Sequence, residues 1–497
     1  WPIPTRSSAN WKWCGGSAVS SPTSQAVTRP AGEVRSYAIT RRAPGDPCPL
    51  SFSQQRLWFL DQLSPADPTY NIPYAMTIRG QLDVPALQKS LDAVVGRHQI
   101  LRTTFDNVGG LPVPIVADPW KVELKTFDLR RFKPEERGSK ARLLLKRESI
   151  RGFNLARDLM LRGVLLRMDE NEWIFLHISH HVAWEFRSTA LMYGEVAELY
   201  AHFAAGKKLE LVELPIQFAD FALWQRQFLQ GEMLDRLGAF WKEQLKDVPA
   251  ELNLLADFPR QPAPARGGKR YPMVLSGELL DAAKALSLQS GVTPFMSLFG
   301  AFNVFLHCCT GATDICVGSP IARRRRAEIE PMIGFFVNTL VLRSDLSGNP
   351  TFRQLLGRVS RVVLGAIAHA DLPFDKLVEI VRPPRAAGRM PLFQVNFRVV
   401  KEPVPVLPLH GLEVSPPEWI DNGTSKFDLS LELVATGGEA GFFEYSTDLF
   451  KEETIARMAV DYERVLRALV EHPDVPLTDL EVINEARSRM LQKAAPR

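Results

Sequence analysis

Three histidines close a strongly apolar stretch in His177-Ile-Ser-His180-His181-Val-Ala-Trp184-Glu185-Phe186. Successive side chains of a strand point to opposite faces, so a strand ending here turns only one of His180 and His181 toward any one cleft. Three chemistries fit the pattern. The pair is structural and bonded to backbone; or His177 and His181, four apart, hold a metal; or one imidazole acts as a general base oriented by its neighbours. Metal is the weakest of these, because the zinc-protease pattern needs a helix and a Glu after its first His, and Ile178 stands there.

Other polar residues sit in apolar surroundings. Asp220 and Trp224 lie four apart on an expected helix, which by pattern alone is an aromatic packing face. Asn338 interrupts the apolar strand around Val337–Leu342, so it either bonds within the core or contacts a substrate. No phosphate-cradling glycine loop and no nucleophile elbow is found. Val108-Gly109-Gly110 and Gly267-Gly268 read as turn signals, and the basic run Arg323–Arg326 reads as a solvated loop.

The elements that must position these residues follow from periodicity. At 497 residues the chain suggests two or three domains, or two lobes packed as one unit. Helices are expected at 83–98, with Asp83 as N-cap and Leu87, Leu91, Val94 and Val95 on one face, at 135–150 and at 188–205. Strands are expected at 161–168 and 173–179, with a turn at Asp169–Asn171. The second half repeats the mixture, with helices at 278–290, 294–308, 351–370 and 452–471 and strands at 314–321, 335–343, 392–400, 426–434 and 440–446. This pattern predicts a flexible tail over 1–48, an N-terminal lobe over 49–255, an inter-lobe linker over 256–272, a C-terminal lobe over 273–485 and a terminal linker over 486–497. The 256–272 boundary rests on four prolines, two glycines and several charges. Two α/β halves of similar size imply a cleft between them, a common place for a ligand.

Composition narrows the function. Sixty basic residues against 56 acidic ones give a net charge of +4, which offers no case for nucleic acid as a ligand. The five cysteines, Cys14, Cys48, Cys308, Cys309 and Cys316, fit neither a zinc site nor a disulfide framework, which points to a reducing, cytoplasmic compartment. No run reaches the roughly 18 apolar residues of a membrane span.

Taken together, the segments resemble the condensation domains of nonribosomal peptide synthetases over about residues 47 to 485. Ser51-Phe-Ser-Gln-Gln-Arg-Leu-Trp58 resembles the family's first motif and Arg97-His-Gln99-Ile-Leu-Arg102-Thr-Thr-Phe105 the second. His180-His181-Val-Ala-Trp184-Glu185-Phe186 stands where the family has HHxxxDG. Phe218-Ala-Asp220-Phe-Ala-Leu-Trp224, Ile333-Gly-Phe-Phe-Val-Asn338-Thr, His369-Ala-Asp371-Leu-Pro-Phe374-Asp375 and Arg385-Ala-Ala-Gly-Arg389-Met-Pro-Leu392-Phe resemble the fourth to seventh, the last without its Asp.

The resemblance implies an α/β fold of two chloramphenicol-acetyltransferase-like lobes, a V-shaped pseudo-dimer around a central tunnel. It implies amide formation between thioesters carried on the 4'-phosphopantetheine arms of an upstream donor and a downstream acceptor carrier domain. An adenylation domain would be adjacent, with no resident cofactor, metal or nucleic acid, in one unit of a longer polypeptide. His181 matches the family's active-site residue. His180, Glu185, Phe186 and Arg324 match motif or structural positions, with Glu185 and Arg324 paired; Asn338, Trp184 and Arg102 are candidates for the tunnel lining. The sequence departs from the family at Glu185 for Asp and Phe186 for Gly, and Trp184 replaces a small polar residue. These departures predict a rebuilt 182–188 loop and weak or absent native activity. The rival reading is a condensation-fold platform that binds carriers or a partner enzyme without catalysis. An epimerisation domain would need an EGHGRE-like segment, a cyclisation domain would show Asp in place of both histidines, and a free coenzyme A acyltransferase would lack the later motifs.

Overall fold

The apolar runs on either side of Asp169–Asn171 form antiparallel strands Leu161–Asp169 and Glu172–His180. A computed structural model describes residues 38–43, 46–261, 267–324, 326–384, 388–434 and 440–485. Glu172–His180 also pairs antiparallel with Asn71–Arg79, and Leu161–Asp169 pairs parallel with Glu123–Asp128. Helices Val84–Arg97, Pro134–Ser149 and Phe186–Ala204 pack in the first lobe, with Phe52–Leu63 and Phe218–Phe228 adding to the same core. Asp83 caps the first of these by accepting from the Ala86 amide at 2.9 Å, and Leu87, Leu91, Val94 and Val95 face its core. Gly109 and Gly110 both adopt positive φ between strands Thr103–Val108 and Leu111–Val116, the conformation a two-residue hairpin turn requires.

The second lobe is built on a six-stranded sheet ordered Gly268–Val274, Ala440–Ser446, Leu429–Val434, Val395–Val400, Asp314–Ile321, Asn338–Asp345. Helix Pro294–Thr310 is buried almost all round, as its apolar composition requires, with Thr293 capping its start. Cys308, Cys309 and Cys316 lie buried in this core, packed as small apolar side chains. No single helix among the described residues is long and apolar enough to cross a membrane.

The two cores do not divide at 256–272. Helix Gly231–Gln244 and the residues after it bury Leu237, Trp241, Leu245 and Val248 in the second core. Conversely, Ile329, Met332, Ile333, Phe336, Leu407 and Leu409 belong to the first core. Two short strands from the second half, Glu413–Val414 and Glu418–Trp419, pair with Asn71–Arg79 and cover its outer edge. The expected inter-lobe linker contains the start of strand Gly268–Val274, and its Asp257 and Arg260 bond to Leu449, Lys451 and Asp428. Gly268 is not at a turn: a Cβ there would stand 2.1 Å from the Thr424 carbonyl carbon, so glycine permits the close approach of two backbones. The expected 1–48 tail also ends early. Ile39 is buried and the Arg42 amide donates to Asp220 at 3.0 Å. Residues 1–37, with Cys14, and 486–497 lie outside the described residues.

Candidate active site

The strand Glu172–His180 delivers the histidines to the seam between the lobes and ends there in a single 3-10 turn, His181–Ala183. His180 turns inward. It is 5% exposed, its Nδ1 accepts from the Val182 amide at 3.2 Å, and its ring packs against Phe153. His177 is fully buried, with Nδ1 2.9 Å from the Tyr193 hydroxyl. No group of three or more metal-ligating side chains occurs among the described residues.

His181 is half-buried at the seam, and its Nδ1 lacks a hydrogen-bond partner among the described residues. Its ring is held by edges: Phe335 at 4.9 Å between centroids and Tyr70 at 6.5 Å. Strand register explains the second contact. Asn71 pairs with His180, so the preceding residue, Tyr70, stands beside His181. Burial, the Lys426 ammonium and His180 together hold the His181 imidazole well below its ordinary pKa, so it is neutral at physiological pH.

The turn after His181 fastens the lobes together. Glu185 and Arg324 form a buried ion pair at 2.5 Å, 1% and 5% exposed. The other Glu185 oxygen accepts from the Phe336 amide at 3.1 Å. Arg324 donates to the Ile329 and Met332 carbonyls at 2.7 and 2.6 Å, and its guanidinium lies 4.4 Å from the Phe336 ring centroid. Ser188 accepts from the Gly334 amide and donates to its carbonyl. These bonds hold the segment 333–336 against the histidine turn and place Phe335 on His181. Burial pushes the Glu185 carboxyl upward while Arg324 and the Phe336 amide pull it down.

The remaining candidates separate. Phe186 is half-buried, with the Arg398 guanidinium 5.5 Å from its ring centroid, so its ring meets the second lobe at the seam. Trp184 does not line a tunnel: it is fully buried in the first core and donates its indole N–H to Thr189 at 3.0 Å. Asn338 is a core clamp, because its side chain donates to the Ala370 and Leu372 carbonyls and accepts from the Phe374 amide. Arg102 bonds the Ala117 carbonyl and lines an outer cleft of about 410 Å³ with Arg41, Arg97 and Gln217, apart from His181. The basic run is not a solvated loop, since Arg323 pairs with Asp371, Arg324 with Glu185, and Arg326 stacks on Trp224; Arg325 lies outside the described residues.

Across the seam, cations of the second lobe face aromatic rings of the first sheet and of the turns and helix beside it. Arg270 lies 4.2 Å from Trp419, Arg398 meets Phe186, and the Lys426 ammonium is 5.4 Å from Tyr70. Tyr70, Phe335 and Lys426 carried no sequence signal of their own. Phe335 alone sits inside a motif; Tyr70 ends the 3-10 turn Pro68–Tyr70, and Lys426 is a single loop residue.

Two such sheets, each with its helices and joined at a seam that carries a histidine, define a two-lobed protein of the chloramphenicol-acetyltransferase-like class. A family model described as "Condensation domain" matches residues 46–492, and the chain belongs to that family, as a condensation domain of the nonribosomal peptide synthetase kind. The chain is 40% identical over 437 residues to a linear gramicidin synthase of Brevibacillus parabrevis, covering 88% of this chain and 6% of that protein. It is 35% identical over 465 residues to phosphinothricin tripeptide synthetase PhsC of Streptomyces viridochromogenes, covering 92% of this chain and 42% of the relative. The chain thus spans less than a tenth of the gramicidin synthase polypeptides it matches. Among solved structures, the X-domain from teicoplanin biosynthesis superposes with a TM-score of 0.82 at 27% identity, covering 89% of this chain and 99% of that one. The first condensation domain of the calcium-dependent antibiotic synthetase, at 20% identity and a TM-score of 0.72 over 88% of this chain and 99% of that one, shares the fold.

Proposed function

We propose that this domain joins a donor acyl or peptidyl thioester to the amine of an acceptor aminoacyl thioester, with His181 at the reacting centre. The observation that carries this reading is a neutral, half-buried imidazole at the seam, walled by Phe335 from one half of the chain and Tyr70 from the other. The acceptor nitrogen attacks the thioester carbonyl carbon, an N–C bond forms and the carbonyl oxygen takes the negative charge. The nitrogen then gives up its proton, the C–S bond breaks, and the proton ends on the departing thiolate, leaving an amide and a free thiol. An imidazole held well below its ordinary pKa is a weak base, so hydrogen bonding and positioning are the larger part of what His181 supplies. Both phosphopantetheine arms arrive on partner carrier domains as part of the substrates, and the domain works beside an adenylation domain in a cytoplasmic multidomain chain.

The test is condensation between two loaded carriers, followed by mass spectrometry of the carrier-bound product. His181→Ala should abolish the product while the circular dichroism spectrum is unchanged. Unchanged turnover in that variant would overturn the assignment of His181. A second reading draws on the likeness to the teicoplanin X-domain, which has also been solved in complex with OxyB. On that reading the domain is a platform for a partner enzyme, and the wild-type chain forms no product with any pair of loaded carriers.

A further inference from the structure

Four basic side chains gather where the second lobe meets His181, and three of them are neutralised. Arg270 pairs with Glu444 at 3.1 Å, Arg398 with Glu432 at 3.1 Å, and Arg56 with Asp375 at 3.9 Å. The fourth, Lys426, has no carboxylate partner among the described residues. It sits in the loop before strand Leu429–Val434, keeps contact with water, and directs its ammonium at the Tyr70 ring, the same ring that His181 meets by its edge. A cation placed beside a reacting centre acts on whatever charge develops there.

We infer that Lys426 sets the charge of the reaction centre: its unpaired ammonium, across Tyr70 from His181, keeps the imidazole and the incoming acceptor amine in their neutral forms and stabilises the carbonyl oxygen as it becomes negative. The inference rests on His181 being the reacting-centre residue. A neighbouring ammonium repels a second positive charge, so the acceptor arrives as the free amine, the only form that can attack a carbonyl carbon. The same field is attractive to the negative charge that the attack places on oxygen. Lys426 itself is pulled down to about 8, chiefly by burial, with Arg270, Arg398 and Arg56 acting in the same direction and Glu444 against them. The other titratable groups about the pair are His180 and Tyr70, and His180 is neutral. The field is therefore present at neutral pH and fades above about pH 8.

Two measurements test this, and only one needs an active domain. The first is carbethoxylation of His181 by diethylpyrocarbonate, which reacts with imidazole in its neutral and not its protonated form, followed by peptide mass spectrometry from acid to neutral pH. For a charge roughly 10 Å away at an effective dielectric of about 20, Lys426→Met should move the midpoint of His181 modification upward by about one pH unit, and Lys426→Arg should keep the wild-type profile. Identical profiles in wild type and Lys426→Met would overturn the inference, whether or not the domain condenses anything. The second is the pH profile of condensation between loaded carriers. Its acidic limb should shift upward by about one unit in Lys426→Met and return in Lys426→Arg. A uniform loss of rate with no shift of the limb would mean that Lys426 only shapes the seam, and would also overturn the inference. Absence of product from the wild type counts against the proposed function and leaves the modification profile to decide the charge effect.

Discussion

Neutralising Glu185 by Glu185→Gln tests how the histidine turn is fastened to the second half of the chain. The carboxylate is 1% exposed and faces an Arg324 guanidinium that is 5% exposed, so the substitution leaves a buried cation without its counter-ion. Breaking a buried pair on one side costs about 3–5 kcal/mol. Gln also brings an NH₂ group to a site that offers two donors, the Arg324 Nε–H and the Phe336 amide, so one of them loses its acceptor. The loss should therefore fall in the upper part of that range. Arg324→Met should cost at least as much, because the Ile329 and Met332 carbonyls lose their donor as well as Glu185 its cation. In the double variant Glu185→Gln with Arg324→Met the charges vanish together, and the destabilisation should be smaller than the sum of the two single changes by about 2 kcal/mol or more. Equilibrium unfolding in urea supplies all three values. Single variants within about 1 kcal/mol of wild type, or strictly additive losses, would refute the claim that this pair locks the lobes.

Three further outcomes are expected. Asn338→Ala strands two buried carbonyls and one amide and should cost about 2–4 kcal/mol in urea unfolding, and a loss below about 1 kcal/mol would contradict the clamp. His177 is neutral in the fold, with its pKa lowered to about 3 by burial, whereas the unfolded imidazole protonates near 6.5; its contribution is intact above about pH 6.5 and is lost progressively as pH falls toward 3, by about 1.4 kcal/mol per unit. His177→Gln should flatten the fall of stability between about pH 6 and 4 by that amount, and an unchanged slope would show that the imidazole is charged in the native state. Glu185→Asp combined with Phe186→Gly removes the ring lying against Arg398 and should raise condensation between loaded carriers, whereas an efficient wild type that slows on Phe186→Gly would show the ring to be an adapted part of the seam.

Periodicity carried much of the fold because it reports local burial. Leu87, Leu91, Val94 and Val95 mark helix Val84–Arg97, and the apolar runs around Asp169–Asn171 mark the strands that end at the histidines. Strand Asn71–Arg79 has no clear strand pattern in the sequence because it contains Pro73, which is accommodated where the register lets its carbonyl accept from the Ile420 amide. The glycines at 267 and 268 gave a turn pattern, yet only the position of the Thr424 backbone, far along the chain, explains why Gly268 has no side chain. Helix Gly231–Gln244 precedes the proline-rich stretch but packs beyond it, since composition marks where a chain lacks periodicity and not which core a helix joins. Trp184 shows the matching limit at the site: a motif position says nothing about which way a ring turns, and this one turns into the core. Tyr70 and Lys426 are brought to His181 by strand register and by one loop, and neither leaves a trace in local pattern.

The short strands Glu413–Val414 and Glu418–Trp419 set a timetable for making the protein. They seal the edge of Asn71–Arg79, yet roughly 340 residues of chain lie between the edge and its cover. At about 5–20 residues per second, a ribosome takes roughly 20–70 s to produce the cover after the edge has been made. Throughout that interval the nascent first lobe presents unpaired N–H and C=O groups, the template on which strands of other chains can add. The hazard is greatest on a polysome, where neighbouring nascent chains of the same sequence expose the same edge at the same stage.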